Sequence, residues 1–435
     1  MDKDIKNILI KSFGIDEEII EYVNSKEKEI ISKFKHIDKI KEYNQYKVLK
    51  SMQEARLSSI DFNWTSGYGY GDIGREKVEK IYSLVFNCED AYVRPLIASG
   101  TNAIFLTLSS LLRPNDELLS ITGNPYDTLQ EAIGTKGNQK GTLLEYGIKY
   151  KEVPLNKGKI DIQKSIENIT EKTKIVYIQR STGYSNRKAI PVDEIGSAIK
   201  AIKEYNENLI IMIDNCYGEF TDIIEPTDVG ADIMAGSLIK NPGGGLALSG
   251  GYIVGREELI EQVANRSTAP GLGKECGLTF GMTRNILQGL FLAPHVVAEA
   301  MKGALLVGAV YKGLGFEIVP ELDDKRSDIV QAVKFNSPEM VIEFCKGIQS
   351  ASAVDSYVIP AAWDMPGYED RVIMASGGFV EGSSIELSAD GPMREPYFAY
   401  YQGGLTYEHC KLGVMKSLNN LCYNNLIDKN KLTTK

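Results

Sequence analysis

Histidine is nearly absent from this chain of 435 residues, which holds only His36, His295 and His409. None are spaced as H-x-x-x-H, so a histidine-rich metal site or a Ser-His-Asp triad has almost nothing to draw on. Cys88, Cys216, Cys276, Cys345, Cys410 and Cys422 include no C-x-x-C pair. A chain of this length does not need disulfide staples, and a reducing cytoplasm is the simpler expectation. Long hydrophobic runs are also missing. The most apolar stretch, 291–311, is cut by His295, Glu299 and Lys302 and reads as a packed helix. The opening MDKDIKNILI carries charges where a signal peptide needs an apolar core. There is no excess of positive charge either: 49 basic against 58 acidic residues leave a net −9, with no global reason to seek nucleic acid or anionic lipid.

What is present is ordinary for a globular protein, with 43% apolar and 25% charged residues. The length suggests about two or three domains. Residues 1–50 hold 21 charged side chains, with Ile, Leu, Val and Phe recurring at helical spacing. They read as an amphipathic arm, equally suited to closing the end of its own domain or to embracing a second subunit. The segment FNWTSGYGYGDIG fits neither helical nor strand periodicity and reads as an ordered loop. Residues 1–75 therefore form an N-terminal region.

From residue 76 the chain alternates helices (76–86, 101–112, 128–134, 192–206) with apolar strands (91–96, 117–121, 175–178, 209–213, 233–235, 251–254). That alternation predicts βαβ units, a mostly parallel sheet flanked by helices, and ligands at the carboxyl ends of the strands. This large domain is expected over 76–302. A smaller α+β domain is expected over 303–435, with strand candidates at 316–319, 329–335, 372–374 and 384–387 and a final helix over 407–426.

Two strand ends carry chemistry. Asp214 ends LIIMID, and Lys240 ends ADIMAGSLIK just before a glycine run. Taken singly, each is as readily a cap or an exposed strand-end side chain. Together they are what pyridoxal phosphate requires: a lysine to form a Schiff base with the aldehyde, and a carboxylate to keep the pyridine nitrogen protonated. Ser99, Gly100, Thr101 and Asn102 follow a strand and open a helix, offering a cup of N–H groups to a phosphate. Ser237, three residues before Lys240, adds a hydroxyl. Tyr126, in the turn GNPYDT, is placed to lay its ring over a flat heteroaromatic group, or packs as a surface turn tyrosine.

The succession SGTNA, NPYDT, DNCYGE and GSLIKNPGGG resembles the fold type I pyridoxal phosphate enzymes of the cystathionine and methionine lyase group. The resemblance is greatest to the bacterial methionine γ-lyase-like branch labelled aluminium resistance protein, through GYGYGDIGR, IQRSTGYS, TAPGLGKE, QGLFLAPHVV, MPGYED and ELSADGPMREPY among others. It implies an aspartate aminotransferase-like fold with Lys240 as the Schiff-base lysine and Asp214 as the pyridinium partner. It also implies a phosphate site of Ser237, Ser99, Gly100, Thr101 and Asn102, with Tyr126 stacked on the ring and catalytic beside Lys240 and Asp214. In the group, a tyrosine and an arginine of the neighbouring subunit reach the phosphate; the aromatic loop offers Tyr68, Tyr70 and Arg75, without the group's Tyr-x-Arg spacing. Where the group has Glu-x-Pro-x-Asn-Pro this chain has QRSTGYSNR, leaving Gln179 and Arg180 as candidates near the cofactor or substrate. Arg394 is the expected partner of the substrate α-carboxylate, since a guanidinium matches it with two parallel hydrogen bonds. Cys216 and Cys276 read as packing residues, Cys216 within reach of the site.

The implied protein is a cytoplasmic carbon–sulfur lyase for a small sulfur amino acid such as cystathionine or methionine, without metal, nucleic acid or membrane. It would be a homo-oligomer, a tetramer built from dimers. An aminotransferase would use the same lysine and aspartate, and a non-catalytic protein that keeps the cofactor site is the reading from another class.

Overall fold

The computed structural model describes residues 2–432 and divides into two compact units, residues 42–294 and residues 1–41 with 295–435. The sequence reading put boundaries after 75 and 302; the observed divisions lie earlier for a local reason. Residues 42–75 are tied into the first unit: Asn44 Nδ2 donates to the Asp222 carbonyl at 2.9 Å, and Lys77 Nζ to the Ala55 carbonyl at 2.6 Å. Two long helices, Glu17–Glu54 and Thr283–Gly313, run through the divisions, the second with Pro294 inside it. By length and composition Thr283–Gly313 could cross a membrane, but 83% of its most apolar window is buried within the protein.

The unit of residues 42–294 is built on seven strands: β1 (Asp90–Arg94), β2 (Glu117–Ser120), β3 (Lys149–Glu152), β4 (Thr173–Gln179), β5 (Ile210–Asp214), β6 (Ile233–Ser237) and β7 (Gly251–Gly255). Their order is β1-β7-β6-β5-β4-β2-β3, with β7 alone reversed, antiparallel to both β6 and β1. Strands β5 and β6 are buried along their whole length, which is why they read as continuous apolar runs rather than alternating ones. At the edge, β3 is KYKE, partly exposed and charged, a composition that discourages pairing with another sheet. Helices Gly100–Leu111 and Glu257–Ser267 bury Ile104, Leu108, Leu259 and Val263 in the same core as Tyr92, Met212 and Ile253.

The other unit has an antiparallel sheet: β8 (Glu317–Val319), β9 (Val330–Lys334), β10 (Val372–Ser376), β11 (Ser388–Pro392) and β12 (Phe398–Gln402), ordered β10-β11-β12-β9-β8. The strand expected over 384–387 does not form there; β11 begins at the next residue, Ser388, and β12 and β3 had no sequence forecast. Propensity argues against SADGP as a strand, yet the residues are fully buried and paired on both sides by β10 and β12. The N-terminal arm up to residue 41 packs on this unit of its own chain. Ile19, Ile20 and Val23 are fully buried, Tyr22 donates to the Val310 carbonyl at 3.0 Å, and Lys411 pairs with Glu27 at 2.8 Å. These contacts close the end of the arm's own unit.

Candidate functional site

The carboxyl ends of β5 and β6 bring Asp214 and Lys240 to one place. Asp214 is only 1% exposed. Its Oδ1 accepts the Cys216 backbone N–H at 3.0 Å and its Oδ2 accepts the Tyr177 hydroxyl at 3.3 Å. Burial pushes its pKa up, while the Lys240 charge and the two donors pull the other way. After Ser237 closes β6 the chain turns, Lys240 N–H reaching the Ser237 carbonyl at 3.4 Å, and enters the short 3₁₀ turn Asn241–Gly243. Gly244 makes that turn possible: it sits at φ 53°, and a Cβ there would stand 2.3 Å from the Gly289 carbonyl oxygen. Among the described residues, Lys240 Nζ has no hydrogen-bond partner, and it stands 3.9 Å from the centroid of the Tyr217 ring. Burial favours the neutral amine, but the negative character of Cys216, Tyr217 and Asp214 outweighs it and holds the pKa well above the ordinary lysine range.

The residues expected to form a phosphate cup stand at the start of helix Gly100–Leu111. Ser99 caps it, accepting the Asn102 N–H at 3.1 Å, and Asn102 Oδ1 accepts the Ala98 N–H at 3.2 Å. The helix end meets the sheet because residue 100 lacks a side chain: a Cβ there would lie 3.2 Å from Cys216 Sγ and 3.3 Å from Ser237 Cβ. Cup, Ser237 and the Asp214 loop are thus neighbours. Thr101 Oγ1 lies 3.1 Å from the Tyr126 hydroxyl and 3.1 Å from Thr128 Oγ1. Burial first, then the nearby Asp214 and Cys216, keeps the Tyr126 phenol protonated far into the alkaline range.

The six remaining candidates, Gln179, Arg180, Arg75, Tyr68, Tyr70 and Arg394, have varied surroundings. Gln179, buried at the end of β4, accepts the Tyr126 backbone N–H at 2.9 Å and donates to the Ser181 carbonyl at 3.1 Å, so it braces the turn that carries Tyr126. Arg180 is buried, its guanidinium donating to Asn215 Oδ1 (2.8 Å), the Gly218 carbonyl (2.8 Å) and Thr221 Oγ1 (3.1 Å), with Glu225 at 3.7 Å, while its Nε has no hydrogen-bond partner among the described residues. Arg75 is buried and donates to the carbonyls of Gly67 (2.7 Å), Gly69 (3.2 Å) and Glu275 (2.7 Å), ordering the aromatic loop from within. Tyr68 and Tyr70 stand out from that loop, 72% and 75% exposed. In the other unit, Arg394 follows β11, is 38% exposed and pairs with Asp370 at 3.0 Å.

Two residues of the site were not forecast. Tyr177 donates to Asp214 from β4, and a signal for it exists: a tyrosine inside a fully buried strand must give its hydroxyl a partner. Tyr217 lies beside Lys240 only because its backbone adopts φ 71°, which no periodicity reveals. Among the described residues, no group of three or more His, Cys, Asp or Glu side chains is arranged to hold a metal ion.

The family model described as methionine gamma-lyase matches residues 19–422. The chain is 49% identical over 403 residues to the uncharacterized protein YnbB of Bacillus subtilis strain 168, covering 92% of this chain and 96% of that one. A solved structure from Clostridium acetobutylicum, whose name joins cystathionine beta-lyase with aluminum resistance, is 51% identical with a TM-score of 0.94, covering 97% of this chain and 99% of that one. Another, named a carbon-sulfur lyase involved in aluminum resistance from Clostridium novyi NT, is 47% identical with a TM-score of 0.93, covering 97% of this chain and all (100%) of that one. The seven-stranded, mostly parallel sheet with a smaller C-terminal sheet domain is the aspartate aminotransferase-like fold type I, and the chain belongs to the methionine gamma-lyase family.

Proposed function

We propose that this protein is a pyridoxal phosphate-dependent carbon–sulfur lyase that cleaves a sulfur amino acid of the cystathionine or methionine type to a thiol, a 2-oxo acid and ammonia. One observation carries the reading: a buried carboxylate, a lysine amine without a hydrogen-bond partner among the described residues, a capped helix N-terminus and a tyrosine meet at the ends of adjacent parallel strands. These residues fit the cofactor. Gly100 leaves room where a Cβ would press on Cys216 and Ser237, and the helix N–H groups beside Ser99, Thr101 and Asn102, with the Ser237 hydroxyl, suit a phosphate. Asp214 suits a protonated ring nitrogen, and Tyr126 suits the flat face of the ring.

Pyridoxal phosphate, when bound, supplies the electron sink that takes up the pair left by the departing α-proton. The chain's residues do the rest. Lys240, once its amine is free, is the base that takes that proton. The Tyr126 phenol, kept protonated by burial and anchored to Thr101, is the acid for the departing thiolate. Arg394, in the ADGPMREPY segment, is the group for the substrate carboxylate.

The test is to incubate the purified protein with a panel of sulfur amino acids and to measure 2-oxo acid, ammonia and thiol together. Equal release of all three is expected. From cystathionine, pyruvate with homocysteine marks β-elimination and 2-oxobutanoate with cysteine marks γ-elimination. Pyridoxamine phosphate without ammonia would replace the lyase reading with an aminotransferase.

We also propose a homo-oligomer, a tetramer built from dimers, whose site is completed across a twofold interface. The exposure of Tyr68 and Tyr70 supports it, and with Arg75 held by loop carbonyls these two tyrosines are the ones free to reach a neighbouring cup. Mixing a Lys240→Ala protein with a Tyr68→Phe, Tyr70→Phe protein should restore part of the activity through hybrid sites. Subunit exchange shown by mass spectrometry without any recovery would discard the shared site.

A further inference from the structure

Tyr217 holds a backbone conformation that tyrosine seldom adopts. At φ 71° it lies in the left-handed region, which disfavours residues bearing a Cβ and persists only when the surroundings over-determine it. Here they do. The Gly218 N–H donates to the Asn215 carbonyl at 2.8 Å, closing a tight turn around Cys216 and Tyr217. Arg180 Nη1 then fastens both ends of that turn, through Asn215 Oδ1 and the Gly218 carbonyl, and Glu225 accepts from Asn215 Nδ2 at 3.0 Å. A Cβ on Gly218 would stand 2.5 Å from Nη1, so the guanidinium lies directly against the backbone that follows Tyr217. This buried cluster brings the Tyr217 ring to within 3.9 Å of Lys240 Nζ, measured to the ring centroid.

We propose that Tyr217 is a positioning residue for Lys240, its ring face holding the lysine ammonium, and that the Arg180–Asn215–Glu225 cluster exists to hold that ring in place. The inference rests on the reading of Lys240 as the reactive amine and adds what controls it. During turnover that amine must alternate between ammonium and free base. A carboxylate in direct contact would bind the cation tightly and in one direction, whereas an aromatic face attracts it without taking a hydrogen bond. The nitrogen can then leave the ring face without breaking a directional bond.

The titratable groups that bear on Lys240 are Asp214, Cys216, Tyr126, Tyr217 and Glu219. Of these, Tyr217 has its ring against Nζ, and removing the ring withdraws support from the cation alone. The lysine pKa should therefore fall. Tyr217→Asn and Tyr217→Gly suit the test because both residues accept the left-handed backbone and lack the ring, while Tyr217→Phe keeps the ring without the hydroxyl. Cofactor-free protein is acetylated competitively across the alkaline range, and the Lys240 peptide is followed by mass spectrometry. In Tyr217→Asn and Tyr217→Gly the half-titration point of Lys240 should drop by about one pH unit, with Tyr217→Phe, which keeps the ring and loses only the charge of the hydroxyl, dropping by less. An unchanged midpoint in the ring-free variants overturns the proposal, as does a shift in Tyr217→Phe that matches theirs. Borohydride trapping of pyridoxal phosphate is run in parallel on wild-type protein. A missing adduct at Lys240 there faults the cofactor reading and leaves the titration result to judge Tyr217 by itself.

Discussion

Lys240→Ala is expected to abolish borohydride-trapped pyridoxal phosphate and to lower lyase turnover by about a thousandfold or more, since it removes both the covalent anchor and the proposed base. The wild-type protein should be yellow, and its absorbance should change on reduction. Peptide mapping then decides the matter: the reduced adduct belongs on the peptide containing Lys240, and an adduct on any other lysine would remove the foundation of the assignment. The fold should tolerate the change. Lys240 Nζ makes no hydrogen bond among the described residues, so no buried partner is stranded when it goes.

Asp214→Asn should cost about a hundredfold to a thousandfold in kcat, the range seen when one charge-stabilising group is removed from a closed site. Shape is preserved: the amide oxygen can still accept from the Cys216 N–H, and its nitrogen can donate toward the Tyr177 oxygen. Stability separates this from simple damage. Burial raises the Asp214 pKa in the folded chain, so the native state binds its proton more tightly than the unfolded chain does. Stability tied to this group is then greatest at low pH and declines as the pH rises from the ordinary aspartate value through the raised one. Above that window the ionised carboxylate burdens the fold, and the neutral amide relieves it. Cofactor-free Asp214→Asn should therefore melt no lower than wild type at pH about 8, while the loaded enzyme is slow. Wild-type turnover at saturating cofactor and substrate would contradict the role of Asp214.

Some of this molecule was legible in one dimension because its signals are local. Buried parallel strands are covered on both faces, so β4, β5 and β6 appear as apolar runs, and whatever ends such a run stands at the sheet's carboxyl edge. Asp214 and Lys240 could be picked out on that ground, and Ser99 as a helix cap. Strand β11 could not, because SADGP forms a strand only under pairing from both neighbours.

The sequence by itself determined the alternating architecture, the order of the site motifs and the strand end at which Asp214 stands, with Lys240 three residues past the end of the next strand, for these depend on periodicity and on residues adjacent in the chain. Only the tertiary structure decided what each arginine does. A guanidinium carries five donors on a long side chain, and which acceptors meet it depends on segments distant in sequence. Arg180 meets a turn 35 and 38 residues away, and Arg75 reaches the carbonyl of Glu275, 200 residues away. The same long-range packing forces Tyr217 into its left-handed backbone and turns its ring toward Lys240.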